Sequence, residues 1–160
     1  HNTVSVDPQE ISQELIDNFE LFDAWEDRYR YIIELGNTLD PLEDHHRVEQ
    51  NRVQGCVSNV WLIPETTDED QKIWFRADSN SQLVKGLIAI VLKVYSGRTA
   101  KEIVQFDIDD LFKLLNLRQH ISQSRSNGLS SMVQRLKSLA VEQLAASSAN
   151  IDESAGETAS

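Results

Sequence analysis

The chain has 160 residues, 40% of them hydrophobic and 26% charged, with a formal net charge of -11 and a single cysteine. That length and apolar content suit one domain with a real core, while the negative charge works against nucleic acid and anionic membranes, which would repel it. One thiol excludes an internal disulfide and falls short of the thiolate set on which zinc or iron–sulfur sites draw.

In chain order, Asp7-Pro-Gln-Glu10 predicts a helix start: an acidic cap, proline at the first helical position, and a glutamate spaced to close a capping box. Ile11, Leu15, Phe19 and Phe22 then share one face. Asp23-Ala-Trp-Glu26 repeats the cap signature, and Trp25, Tyr29 and Ile33 continue an apolar stripe to Gly36, so a helical hairpin is expected. Asn37 to Asn51 has no period and reads as a connecting loop. Its adjacent His45 and His46 point in different directions in a helix or a strand, which makes them a solvated pair rather than a metal site.

Gly55 permits a turn, so Val53-Gln54 can end one extended segment and Val60-Trp-Leu-Ile63 begin another, with Cys56 on the loop between them. Val57 is then expected to shelter the sulfur, and Ser58 and Asn59 to offer it hydrogen bonds. A free cysteine also serves as an inert small hydrophobe, and these residues alone leave both roles open. Val60–Ile63 and Lys72–Ala77 predict antiparallel strands joined by the polar run Glu65–Gln71. Ile73, Phe75 and Ala77 alternate with Trp74 and Arg76, so one sheet face is expected to be buried against helices.

Asp78-Ser-Asn-Ser81 can cap the next helix, whose residues from Leu83 to Val94 are apolar nearly all round, so that helix is central. Ser96-Gly97 ends it, and Thr99-Ala-Lys-Glu102 is a capping box opening a short helix through Gln105. Asp107 to Asn116 gives another, burying Leu111, Phe112 and Leu115. After Arg118–Asn127 a last helix carries Leu129, Met132, Val133, Leu136, Ala140 and Leu144 on one side. The expected fold class is α+β, a small antiparallel sheet of about three strands packed against several helices in one domain over 1–146. Residues 147–160, mostly Ala, Ser and acidic, are expected to be a disordered acidic tail. With no apolar run of the ~20 residues that span a bilayer, and no basic-then-apolar start, a soluble cytoplasmic protein is expected.

Arg52-Val-Gln-Gly-Cys-Val-Ser-Asn-Val-Trp61, Ala77-Asp-Ser79 and Val84-Lys-Gly-Leu87 resemble, in order and spacing, the SufE family. The resemblance continues through Val94-Tyr-Ser-Gly-Arg-Thr-Ala-Lys-Glu-Ile103, Leu117-Arg-Gln-His-Ile-Ser122 and Ser124-Arg-Ser-Asn-Gly-Leu129, and spans roughly Leu15 to Ala140. It implies a SufE/IscU-like fold and a sulfur acceptor that takes persulfide sulfur from a cysteine desulfurase, SufS-like or CsdA-like, and stimulates that enzyme. The sulfur then passes towards a downstream iron–sulfur scaffold. Cys56 maps onto the family's acceptor cysteine. No cofactor is implied for this chain, whereas the desulfurase carries pyridoxal phosphate.

A thiol with a pKa of ~8.5 is already a few per cent thiolate at neutral pH, so transfer needs no dedicated base. Arg125 can assist Cys56 by its charge or simply brace a loop. Asp78 can contact the partner or cap the helix that follows it. His120 reads as a structural donor. The rival functions are a non-catalytic adaptor and a redox-sensing thiol protein, the latter lacking a second cysteine to resolve a sulfenic acid.

Overall fold

The computed structural model describes residues 7–66 and 71–159, with the side chains of Thr66 and of residues 146–159 outside that description. The first helix, α1, spans Pro8–Glu20, and the Asp7 carboxylate caps it by accepting from Gln9 N at 3.0 Å. The second, α2, spans Trp25–Gly36 and starts at Ala24 without a side-chain cap, so the Asp23 signature goes unused. Its buried residues are Ile32, Leu35 and Gly36 rather than Ile33.

The expected hairpin gives way to a different pairing. The helices α1 and α2 meet at their junction, where the Phe19 ring packs edge-on against Trp25 and Tyr31, with centroids 6.2 and 5.7 Å away. Arg28 closes that corner by donating from Nε to the carbonyls of Phe19 and Phe22. Along its length α2 lies instead on α3, Gln82–Tyr95, which is buried on nearly every side. A Cβ on Gly86 would stand 2.2 Å from Ile32 O, and one on Gly36 would stand 2.7 Å from Gly86 N. The two backbones touch there, and glycine on both sides is what lets them. Gly86→Ala must part the helices, at the upper end of what overpacking costs, about 3 kcal/mol. A urea transition should show this as a lower midpoint with an unchanged slope.

The sheet has the order β1-β2-β3 with antiparallel neighbours: β1 is Val60–Thr66, β2 is Lys72–Ser79 and β3 is Arg98–Thr99. The strand β1 runs past the expected Ile63 and takes in Pro64, which an edge strand tolerates. Residues 67–70 of the expected connecting loop lie outside the described residues. As the alternation requires, Ile73, Phe75 and Ala77 are buried, and β2 packs on α3.

The extended segment ahead of Cys56 proves to be a single bridge between Arg52 and Trp61, and the third strand comes from beyond α3. Gly97, at φ +79°, turns the chain back so that its N–H donates to Ile73 O at 2.8 Å. Ser96 Oγ accepts from Phe75 N at 2.9 Å, stitching the end of α3 to β2.

Thr99 and Glu102 form the expected capping box of α4, Ala100–Gln105. There follow α5, Asp109–Leu114, and a short α6, Leu117–His120, within a stretch expected to be loop. The last helix, α7, spans Gln123–Ala159 and opens earlier than its apolar stripe indicates, because Ser122 Oγ accepts from Arg125 N at 3.2 Å. Its backbone stays helical where a disordered tail is expected, in a segment whose alanines and glutamates are good helix formers. Leu129, Met132, Leu136 and Ala140 enter the core, whereas Leu144 is 48% exposed because α7 has by then run past the elements it packs on.

Candidate functional site

Two contacts between the chain before Cys56 and β1 make the loop that carries it. Arg52 bridges to Trp61, and Val53 N donates to Val60 O at 2.8 Å, pinching residues 54–59 outward. Gly55 then takes φ +90°, and a Cβ there would lie 2.6 Å from Ser131 Oγ, so both backbone and space call for glycine. The loop therefore leans on α7. Cys56, half-buried, donates from Sγ to Gly128 O at 3.5 Å.

The shelter for the sulfur is not the expected one. Val57 sits at the edge of the cleft that holds the sulfur but is 81% exposed, so it gives little cover. Asn59 is engaged elsewhere, its N–H with Asn80 and its Oδ1 with Arg52. Cover comes from α3 and α7, whose Val84, Leu87, Ile88, Leu129 and Met132 line, with Val60, a narrow apolar cleft that Cys56 enters from its loop.

Burial pushes the Cys56 thiol above its ordinary range, and the Arg52 guanidinium pulls it only part of the way back. The free protein therefore holds less thiolate at neutral pH than the few per cent expected of an ordinary thiol. Arg52 also lies 3.2 Å from Glu49, which spends part of its charge. Arg125 is exposed on the rim of the cleft, in the same group of residues as Cys56. The cation whose field reaches the sulfur is Arg52, which opens the cysteine motif but to which the sequence assigns no role.

Asp78 neither caps α3, which Ser81 does through Val84 N, nor faces outward to a partner. It is 2% exposed at the end of β2. Its carboxylate accepts from Arg47 at 2.6 Å, Ser79 N at 2.8 Å and Leu42 N at 3.3 Å, and stands 3.3 Å from Lys85 Nζ. His120 is structural: it stacks on Trp25 with centroids 3.7 Å apart, its carbonyl accepts from the Tyr29 hydroxyl, and its Nδ1 lies 3.0 Å from Asn116 O. The His45 and His46 rings lie tilted at 42° with centroids 4.0 Å apart, and among the described residues no group of three His, Cys, Asp or Glu is placed to hold a metal.

One brace was missed altogether. Arg118 donates to Ser126 Oγ at 2.6 Å, to Ser126 O at 3.1 Å and to Ser130 Oγ at 3.0 Å, and pairs with Asp109 at 3.1 Å. It locks the first turns of α7, those carrying Arg125 and Gly128, to α5 and α6. Its place in the Leu117-Arg-Gln-His-Ile-Ser122 motif marks it, but nothing local indicates that it reaches a serine eight residues on.

The geometry, a lone thiol on a glycine turn over an apolar cleft, can be set beside known proteins. Residues 13–140 match the model of SufE, the Fe-S metabolism associated domain. The chain belongs to the SufE family. This SufE chain is 46% identical over 127 residues to an uncharacterized SufE-like protein of Rhizobium meliloti (strain 1021), covering 78% of itself and 91% of that protein. It is 44% identical over 126 residues to an uncharacterized SufE-like protein of Rhizobium etli, covering 78% and 85%. Among solved structures it is similar to a hypothetical protein from Thermus thermophilus, with a TM-score of 0.69, 17% identity, and coverage of 88% of this chain and 99% of that one. At that identity the likeness speaks for the fold alone. The SufE match associates the chain with iron–sulfur metabolism, and Cys56, Asp78, Arg118 and Arg125 all fall inside the matched residues. No helix among the described residues is long and apolar enough to cross a membrane.

Proposed function

We propose that the protein is a sulfur acceptor, loaded at Cys56 by a cysteine desulfurase and delivering to an iron–sulfur scaffold in the cytoplasm. The observation that carries this is the placement of Cys56 Sγ: on a surface loop rather than in a helix or strand, over a cleft whose walls are apolar. A thiol meant only as core filling would not ride on a glycine turn beside a fully projecting Val57.

The Cys56 thiolate attacks the terminal sulfur of the enzyme's persulfide, forming one S–S bond as the enzyme's own S–S bond breaks. The electron pair leaves with the enzyme's cysteine, which is regenerated as a thiolate. The proton shed by Cys56 goes to solvent or to that leaving sulfur. Nothing is oxidised or reduced overall, so no electron carrier is needed. Carbon–sulfur cleavage belongs to the desulfurase and its pyridoxal phosphate. The role of this chain is that of a co-substrate, because removing the persulfide frees the enzyme for another turnover.

Incubation with a desulfurase and free cysteine, followed by intact mass measurement, should show one or more added sulfur atoms that reduction removes. Sulfur that never appears, or that appears equally on Cys56→Ser protein, rules the proposal out. Stoichiometric zinc or iron found by elemental analysis would likewise turn attention from a carrier to a cluster scaffold.

A further inference from the structure

We propose that Gly128 of α7 is a positioning residue for Cys56, its carbonyl oxygen taking the thiol hydrogen and its bare α-carbon giving the sulfur a seat that keeps the loop shut against the helix. The proposal rests on the acceptor function for its consequence, but its geometry and its test concern the free protein.

Gly128 does not have a left-handed backbone; the glycines with positive φ among the described residues are Gly55 and Gly97. It lies within a helix, where glycine is about 1 kcal/mol worse than alanine. Local conformation therefore gives no reason for it. Space does: a Cβ on Gly128 would lie 3.3 Å from Cys56 Sγ, 3.5 Å from its Cα and 3.7 Å from its Cβ. One helical turn further on, Ser131 supports Gly55 on the same face of α7. Two adjacent loop residues thus rest on two positions of one helix face.

The chemistry of the seat is selective. A carbonyl oxygen accepts from an S–H and repels an S⁻, so contact with Gly128 O favours the thiol over the thiolate. The charged group that acts on the sulfur is Arg52, on the stem of its own loop; Arg125 is the one charged residue that lines the cleft, at its exposed rim, and no carboxylate lines it. Lifting the loop removes both the acceptor and the apolar cover, and leaves the sulfur nearer an ordinary thiol. A partner that draws the loop off α7 would then activate the nucleophile by the same movement that brings it within reach.

The test is the rate at which the full chain's thiolate displaces iodide from iodoacetamide, measured across pH. The parent's midpoint should lie above that of free cysteine. Gly128→Ala should raise the rate at pH 7.5 about tenfold and lower the midpoint by about one unit, a unit being a tenfold change in thiolate at pH values well below it. Ser131→Leu, which pushes under Gly55 without touching the sulfur, should move both in the same direction. Asn127→Ala, at an exposed neighbouring position, should move neither. The proposal is overturned if the folded Gly128 and Ser131 variants keep the parent's rate and midpoint. Should neither variant fold, the parent's profile decides, and a midpoint at or below that of free cysteine overturns it. Sulfur loading that fails while the alkylation profile holds removes the acceptor function and leaves the seat standing; the reverse outcome removes the seat alone.

Discussion

Cys56→Ala is expected to abolish the acceleration of alanine release by the desulfurase while leaving the complex nearly intact. The two effects separate because they draw on different atoms. Acceleration needs a sulfur to receive a sulfur, and this chain has one thiol. Under the proposed function, docking would draw on the surface round the loop, where Val57 and Arg125 are exposed. Truncating one half-buried atom of that surface is comparable to losing a methylene group, about 0.8 kcal/mol or fourfold in affinity. Titration of the variant into the enzyme should give a dissociation constant within about fourfold of the parent's. A variant that stimulates as well as the parent would make the effect allosteric, and the adaptor function would replace the one proposed.

The second large effect is expected at Asp78, where substitution by alanine should cost about 3 kcal/mol of folding stability. Breaking a buried ion pair from one side is among the most destabilising single changes. The figure is at the lower end because Arg47 and Lys85 are each about a third exposed and keep access to water. What is lost is an anchor: Asp78 ties the end of β2 to Leu42 and Arg47 in the connecting segment and to Lys85 on α3.

The same carboxylate gives a pH signature. Burial pushes its pKa up, but the N–H groups of Ser79 and Leu42, the Arg47 guanidinium and the Lys85 ammonium outweigh that and hold it below the usual range. A depressed folded-state pKa stabilises the fold above the unfolded value, about 3.9, and that contribution disappears as pH falls through the lower folded value. Urea unfolding below about pH 4 should therefore lose stability more steeply in the parent than in Asp78→Asn, which has no charge there to lose. Parallel slopes would show that Asp78 is not the titrating anchor.

Asp78 also shows where local reasoning stops. Within Asp78-Ser-Asn-Ser81 it reads as a helix cap or as a partner contact, yet the cap falls to Ser81 and Asp78 itself is buried. The groups that claim it, Leu42 and Arg47, lie 36 and 31 residues back in a segment with no period at all. Thr99 is a different case. Its capping box with Glu102 forms as written, yet the same residue also pairs with Lys72 as a strand, because Gly97 has swung it against β2. A local motif stays legible when its partners are three residues apart, and the strand pairing does not when its partner is 27 residues away.

Periodicity and punctuation in the sequence determine the α+β class, the central apolar helix, the alternation of Ile73, Phe75 and Ala77, and the loop that offers Cys56, since each rests on neighbours within a turn or two. The family motifs add the expectation that Cys56, the one cysteine, is the acceptor. Only the tertiary structure decides what that cysteine touches. Val57, adjacent in sequence, faces solvent, while Gly128, 72 residues away, receives the sulfur's hydrogen and Arg52 supplies the charge. The physical reason is that side-chain spacing fixes which face a residue occupies on its own element, whereas burial, and with it the protonation of a thiol, is set by whichever other element packs over that face.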